Sequence, residues 1–134
     1  MVEAFAVGAL RRGAEIEQFL GSKEHNGILG VAWVEIWPRE GGYVITLFGG
    51  ADQADGFQGR RNLYALPAFL YPSEDGDEDI PYCELGTVSD PLEALDLAES
   101  LTGAVRDRWM NRGLGMDEHA DYVRAGSPSA WPLS

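Results

Sequence analysis

Asp75, Asp77 and Asp79 alternate within the run Ser73-Glu74-Asp75-Gly76-Asp77-Glu78-Asp79, which is the spacing at which a calcium loop supplies its first carboxylate ligands. The remainder of such a loop is missing. The sixth position, where glycine makes the sharp turn, is Ile80, and the twelfth, where a bidentate glutamate closes the shell, is Gly86. No metal and no cofactor are therefore expected. The run instead reads as a solvated loop or as a docking surface for something basic. His119, in Asp117-Glu118-His119-Ala120-Asp121, has carboxylates nearby, but His25 is the only other histidine and neither fits a two-histidine helical metal motif. Both are expected to be exposed or to cap an element.

Covalent chemistry finds no foothold. Cys83 lies between Tyr82 and Glu84, and an acidic neighbour raises a thiol pKa, so a buried structural cysteine is expected. Neither a nucleophile elbow nor a phosphate loop is present, and Gly49-Gly50 followed by Gly56 and Gly59 lacks the spacing of a dinucleotide fingerprint. Paired carboxylates such as Glu35 and Glu84 would do general acid and base work only if a cleft buried them unequally.

The third candidate is aromatic. In a strand containing Trp33-Val34-Glu35-Ile36-Trp37, the side chains of Trp33, Glu35 and Trp37 share one face, and Val34 and Ile36 share the other. If Val34 and Ile36 face a helix-covered core, two tryptophans flank a carboxylate on the opposite face. Such a patch suits a basic protein partner, whereas with the faces reversed the tryptophans belong to the core.

Charge points the same way. Ten Lys and Arg against 22 Asp and Glu give a net charge of −12 and a pI near 4.4. The excess is uneven, with eight acidic and six basic residues over 1–72 but fourteen and four over 73–134. This field repels phosphate backbones and anionic lipid, so direct nucleic-acid binding and membrane association are not expected. A single cysteine excludes an internal disulfide and fits a reducing cytoplasm, and the N-terminus lacks the pattern of a secretory signal.

The elements that must position these groups follow from periodicity. Residues 2–10 read as a first strand, and Ile16, Phe19 and Leu20 place a short helix over residues 14–21, with Glu15, Glu17 and Gln18 outward. The β-rich runs 28–37 and 43–48, separated by Pro38-Arg39-Glu40-Gly41-Gly42, predict an antiparallel hairpin. Residues 63–71 read as a strand that Pro67 confines to an edge or bulge, with 82–88 as its partner. Asp90-Pro91-Leu92-Glu93 is a helix start, and Ala94, Leu97, Ala98, Leu101, Val105 and Trp109 carry that helix to about Asn111 across a possible kink at Gly103. One or two further turns are expected over 117–124. The fold class is α+β: an antiparallel sheet of about four to five strands, packed on one face by a long C-terminal helix and a short N-terminal helix. Residues 1–126 form a single domain, and 127–134 a Pro/Ser-rich tail.

This layout resembles the small acidic immunity proteins of bacterial polymorphic-toxin systems. The likeness rests on the element order over residues 2–110, the hairpin strand Gly30-Val31-Ala32-Trp33-Val34-Glu35-Ile36-Trp37, and the acidic loop ahead of Asp90-Pro91-Leu92-Glu93-Ala94-Leu95. It implies a non-enzymatic cytoplasmic protein that masks a basic toxin. Glu74, Asp75, Asp77, Glu78 and Asp79, with Trp33, Glu35 and Trp37, are the expected contact surface. Two other classes fit the same sequence: a small enzyme or ligand-binding domain with a carboxylate-lined pocket between sheet and helix, and a nucleic-acid mimic or phage or bacterial structural adaptor.

Overall fold

A computed structural model describes residues 2–51, 63–72, 79–128 and 130–131. The chain is α+β, with three α-helices and a five-stranded antiparallel sheet among the described residues. Its first element is a helix, α1 (Glu3–Arg11), where the sequence suggested a strand. Alanine is the best helix former, and Ala6, Ala9 and Leu10 recur at the three- and four-residue steps that bury one helical stripe. Glu3 in the first turn and Arg11 in the last complement the helix dipole.

The helix expected over 14–21 is instead a strand, β1 (Ile16–His25). That reading took Glu17 and Gln18 as solvent-facing, whereas both are buried. Apolar residues at Ile16, Phe19 and Leu20 fit either element, and only the tertiary partners of the two polar residues decide between them. β2 (Ile28–Arg39) and β3 (Gly42–Ala51) form the expected hairpin, with Gly41 at a positive φ of 80° in its turn. β4 (Tyr71–Pro72) and β5 (Asp79–Ile80) make a separate two-stranded ribbon.

Residues 63–71 are not a continuous strand. Leu63–Ala65 is a 3-10 turn, Ala68 bridges to Gly50, and Pro67, which has no N–H to give a ladder, accepts a 2.7 Å hydrogen bond from the Ala51 amide. The partner of β6 (Tyr82–Val88) is consequently β3.

Asp90 starts α2 (Pro91–Thr102) as expected, its carboxylate accepting from the amides of Leu92 and Glu93 at 3.0 and 3.2 Å. The helix does not reach Asn111. It stops at Gly103, whose φ of 78° is the left-handed cap that glycine adopts without cost. The buried side-chain amide of Gln18 then takes up the emerging backbone, accepting from Val105 N at 2.8 Å and donating to Val105 O at 2.9 Å. This docking turns the chain into β7 (Met110–Asn111), the edge strand beside β1. Trp109 reaches the core all the same, while Leu101 and Val105 are exposed. α3 (Gly115–Arg124) follows.

The sheet order is β6-β3-β2-β1-β7. One face carries Ile16, Val34, Ile36 and Ile45 against α1, α2 and Trp109. Arg106 ties this layer together through ion pairs to Glu3 of α1 and to Asp96 and Glu99 of α2. The helices do not all lie on that face. α3 covers part of the other, where Tyr122 packs with Phe19, Val31 and Trp33. Trp131 docks there too, edge-on to Tyr122 at 5.4 Å. No helix among the described residues is long and apolar enough to cross a membrane.

Gly21 and Gly103 separate two costs of a side chain. Both have positive φ, but a Cβ at Gly103 meets nothing within 4 Å, whereas one at Gly21 would lie 2.7 Å from Trp131 Cβ. Gly103→Ala should cost about 1 kcal/mol of backbone strain. Gly21→Ala should cost clearly more and should also expel Trp131. Chemical denaturation of both variants with tryptophan fluorescence checks this, and equal losses would refute the contact.

Candidate functional site

Register assembles the site. Glu17 stands directly opposite Glu35, Glu35 opposite Thr46, and Thr46 opposite Glu84, so one polar row crosses four strands on the face away from α1 and α2. The next row on the same face is aromatic: Phe19, Trp33, Phe48 and Tyr82. Trp33 and Phe48 stack at 5.3 Å with planes 9° apart, and Tyr64 from the 3-10 turn meets Trp33 edge-on at 5.7 Å. Trp37 lies on the other side of the polar row and donates its indole N–H to Thr46 Oγ1 at 3.0 Å.

Of the two faces that the sequence left open, the one carrying Val34 and Ile36 is the helix-covered one. The other face is not an open patch. α3 and the 3-10 turn roof the central part, leaving Trp33 and Glu35 only 7% and 6% exposed. What remains open is a cleft. Two adjoining hollows, of about 370 and 250 Å³, share Glu35, Phe48 and Arg112. Glu15, Trp37, Arg39, Thr46 and Tyr82 complete the larger, and Trp33, Tyr64, Leu66 and Ala68 are among those lining the smaller.

Two like charges directly opposite each other in a sheet repel, so each needs its own partners. Glu17 is wholly buried and accepts from the Tyr64 hydroxyl at 2.6 and 2.7 Å and from the Gly115 amide at 2.9 Å. A carboxylate from β1 thus caps the first turn of α3, whose own N-cap residue, Leu114, has no side chain to do so. Glu35 pairs with Arg112 Nε at 3.0 Å, and Glu15 reaches the same nitrogen at 3.1 Å.

Burial raises the Glu35 pKa above the ordinary carboxylate range. The hydrogen bond from Arg112 opposes that rise and the nearby charge of Glu17 adds to it. The Trp33 indole N–H has no acceptor in bonding geometry, though it lies close enough to favour the ionised form of Glu35. Burial is also the largest cause of the raised Tyr64 pKa, followed by its hydrogen bond to Glu17.

Trp33, Glu35 and Trp37 come together in the cleft. Glu84 belongs to the same row but pairs with Arg39 at 3.0 Å near the rim. Asp79 is exposed on the β4–β5 ribbon, and Glu74, Asp75, Asp77 and Glu78 lie outside the described residues. Cys83 is half-buried opposite Leu47.

His119 is not exposed. It is fully buried beside Phe19 and Tyr122, at ring distances of 5.5 and 6.3 Å. His25 packs on Tyr71 at 4.6 Å. Among the described residues no group of three His, Cys, Asp or Glu side chains could hold a metal ion.

Glu17, Thr46, Tyr64 and Arg112 were not singled out from sequence. Reading 16–25 as a strand would have put Glu17 on the face of Phe19 by its period of two. Nothing local marks Arg112 or Tyr64, which the fold brings in from other segments.

No protein family, curated protein or solved structure matches this chain.

Because the folded pKa of Glu35 is raised, the folded state holds its proton longer than the unfolded state does. The stability linked to this proton is present below the unfolded pKa and is lost as pH rises through the folded one. A carboxyl-carbon NMR titration should give Glu35 a midpoint above the model-compound value of 4.5. Arg112→Gln should raise that midpoint further and Glu17→Gln should lower it. A shift of the opposite sign in either variant would remove the assigned cause.

Proposed function

We propose that this chain is a non-enzymatic binding domain that recognises its ligand in the cleft over Glu35. The observation that supports this is a partly open aromatic cleft whose floor carries a buried, arginine-bound carboxylate. Ligand sites are concave, mostly apolar and roughly 300–1,000 Å³, with a few fixed polar groups that orient what enters. The larger hollow, about 370 Å³, is of that size, and Trp37, Phe48 and Tyr82 supply apolar walls. Its polar groups are fixed in advance: Thr46 holds Trp37, Glu35 holds Arg112, and Glu17 holds the helix and the turn that roof Trp33. Preorganisation of this kind reduces the ordering cost of binding.

A second reading is favoured by charge. Twenty-two acidic residues against ten basic ones, concentrated in residues 73–134, suit a protein that masks a basic partner, a toxin bound by its immunity protein among them. In that reading Asp79 and the acidic run around it meet the partner, and a cationic side chain of the partner enters the cleft. Recovery of a basic protein from the native host, with affinity lost on neutralising Glu74, Asp75, Asp77, Glu78 and Asp79, would favour it over a small ligand.

A fragment screen by protein-observed NMR on the full chain tests the first reading. Bound fragments should move the resonances of Trp37, Thr46, Phe48 and Tyr82 together, and Phe48→Ala should abolish those shifts while the chain stays folded. Hits that cluster elsewhere, or shifts that survive Phe48→Ala, would overturn it. Chemical conversion of a bound compound would replace binding with catalysis as the function.

A further inference from the structure

We infer that the cleft takes a flat, singly charged carboxylate, of which an aryl carboxylate is the simplest member. This rests on the cleft being a ligand site and specifies its chemistry. The arginines carry it. In so acidic a chain, two of the ten basic residues line the larger hollow, and both are built alike. Arg112 lies 5.9 Å over the Tyr64 ring and is held by Glu35; Arg39 lies 4.8 Å over the Trp37 ring and is held by Glu84.

An aromatic plane behind a guanidinium and a carboxylate at its side fix the direction of the fork, which suits planar, bidentate recognition of a carboxylate. Neither arginine has all of its donors engaged among the described residues. Among the described residues, the polar contacts of Arg112 with Glu15 and Glu35 both run through Nε, and that of Arg39 runs through one terminal nitrogen. The buried indole N–H of Trp33, in the smaller hollow, lies near Glu35 outside bonding geometry and is a further donor beside the guanidinium.

The cleft thus offers guanidinium donors, while its two lining carboxylates, Glu15 and Glu35, are both engaged by Arg112. A cationic ligand would have to displace one guanidinium from the carboxylate that holds it. The aromatic walls select a flat body, and the net charge of −12 works against any anion but more strongly against a dianion, which favours a carboxylate over a phosphate.

Four probes of similar shape separate the possibilities: benzoate, benzamide, benzamidine and phenyl phosphate, each titrated into the full chain. The readout is the indole N–H signals of Trp33 and Trp37 and the Nε–H signal of Arg112. Benzoate should move all three to saturation, with the other probes roughly tenfold weaker or silent. Arg112→Lys, which keeps the charge but loses the fork, and Arg39→Gln should each raise the benzoate Kd roughly tenfold. Preserved amide dispersion should show that both variants are folded.

Benzamidine binding in place of benzoate would overturn the inference while leaving the cleft a ligand site. Tighter binding of phenyl phosphate would overturn the preference for a single charge. A benzoate Kd unchanged in both variants would overturn the role of the arginines. If no probe moves the cleft resonances, both the inference and the reading beneath it fail.

Discussion

A carboxylate buried on a sheet must have its hydrogen bonds made by protein, and the site depends on how Glu17 meets that requirement. It lies in β1 opposite Glu35, where repulsion and desolvation both work against it. Its partners come from far along the chain: the hydroxyl of Tyr64 and the amide that opens α3 at Gly115. Satisfying one side chain therefore draws a turn and a helix onto the second face of the sheet. Those two segments bury Trp33 and Glu35 and make the cleft out of what would otherwise be an open surface.

Glu35 has a different environment. Instead of neutral donors it has Arg112, which it shares with Glu15, and the arginine stays half in water with its face on Tyr64. Two glutamates one strand apart thus have separate places, one buried beneath the roof and one lining the cleft. The division follows from which donors the fold brings to each. The opposite face of the sheet follows simpler rules: alanines and leucines of α1 and α2 close on isoleucines and Val34, and Arg106 gathers three carboxylates at the edge of that layer.

Legibility in the sequence varied with how local the causes were. The β2–β3 hairpin was readable because long β-branched and aromatic runs flank a glycine turn, and the start of α2 was readable because Asp90 and Pro91 act within one turn. The division of Trp33, Glu35 and Trp37 from Val34 and Ile36 followed from the period of two alone. The first two elements were exchanged, since an alanine-rich stretch with scattered apolar residues and a short apolar run with polar neighbours each fit helix and strand. The end of α2 was misplaced because the side chain of Gln18, 87 residues from Val105, takes over the backbone there.

By itself, the sequence determined the charge of the molecule, the hairpin at its centre and which residues share a face of that hairpin, because these depend on composition and on the geometry of a single strand. Tertiary structure decided whether that face is open or roofed. It also decided which glutamate is satisfied by neutral donors and which by an arginine, and which aromatic rings back the guanidiniums. Glu17, Tyr64, Arg112 and Gly115 meet only when the chain closes on itself, and the need to pair a buried charge is a property of that meeting and of no one segment.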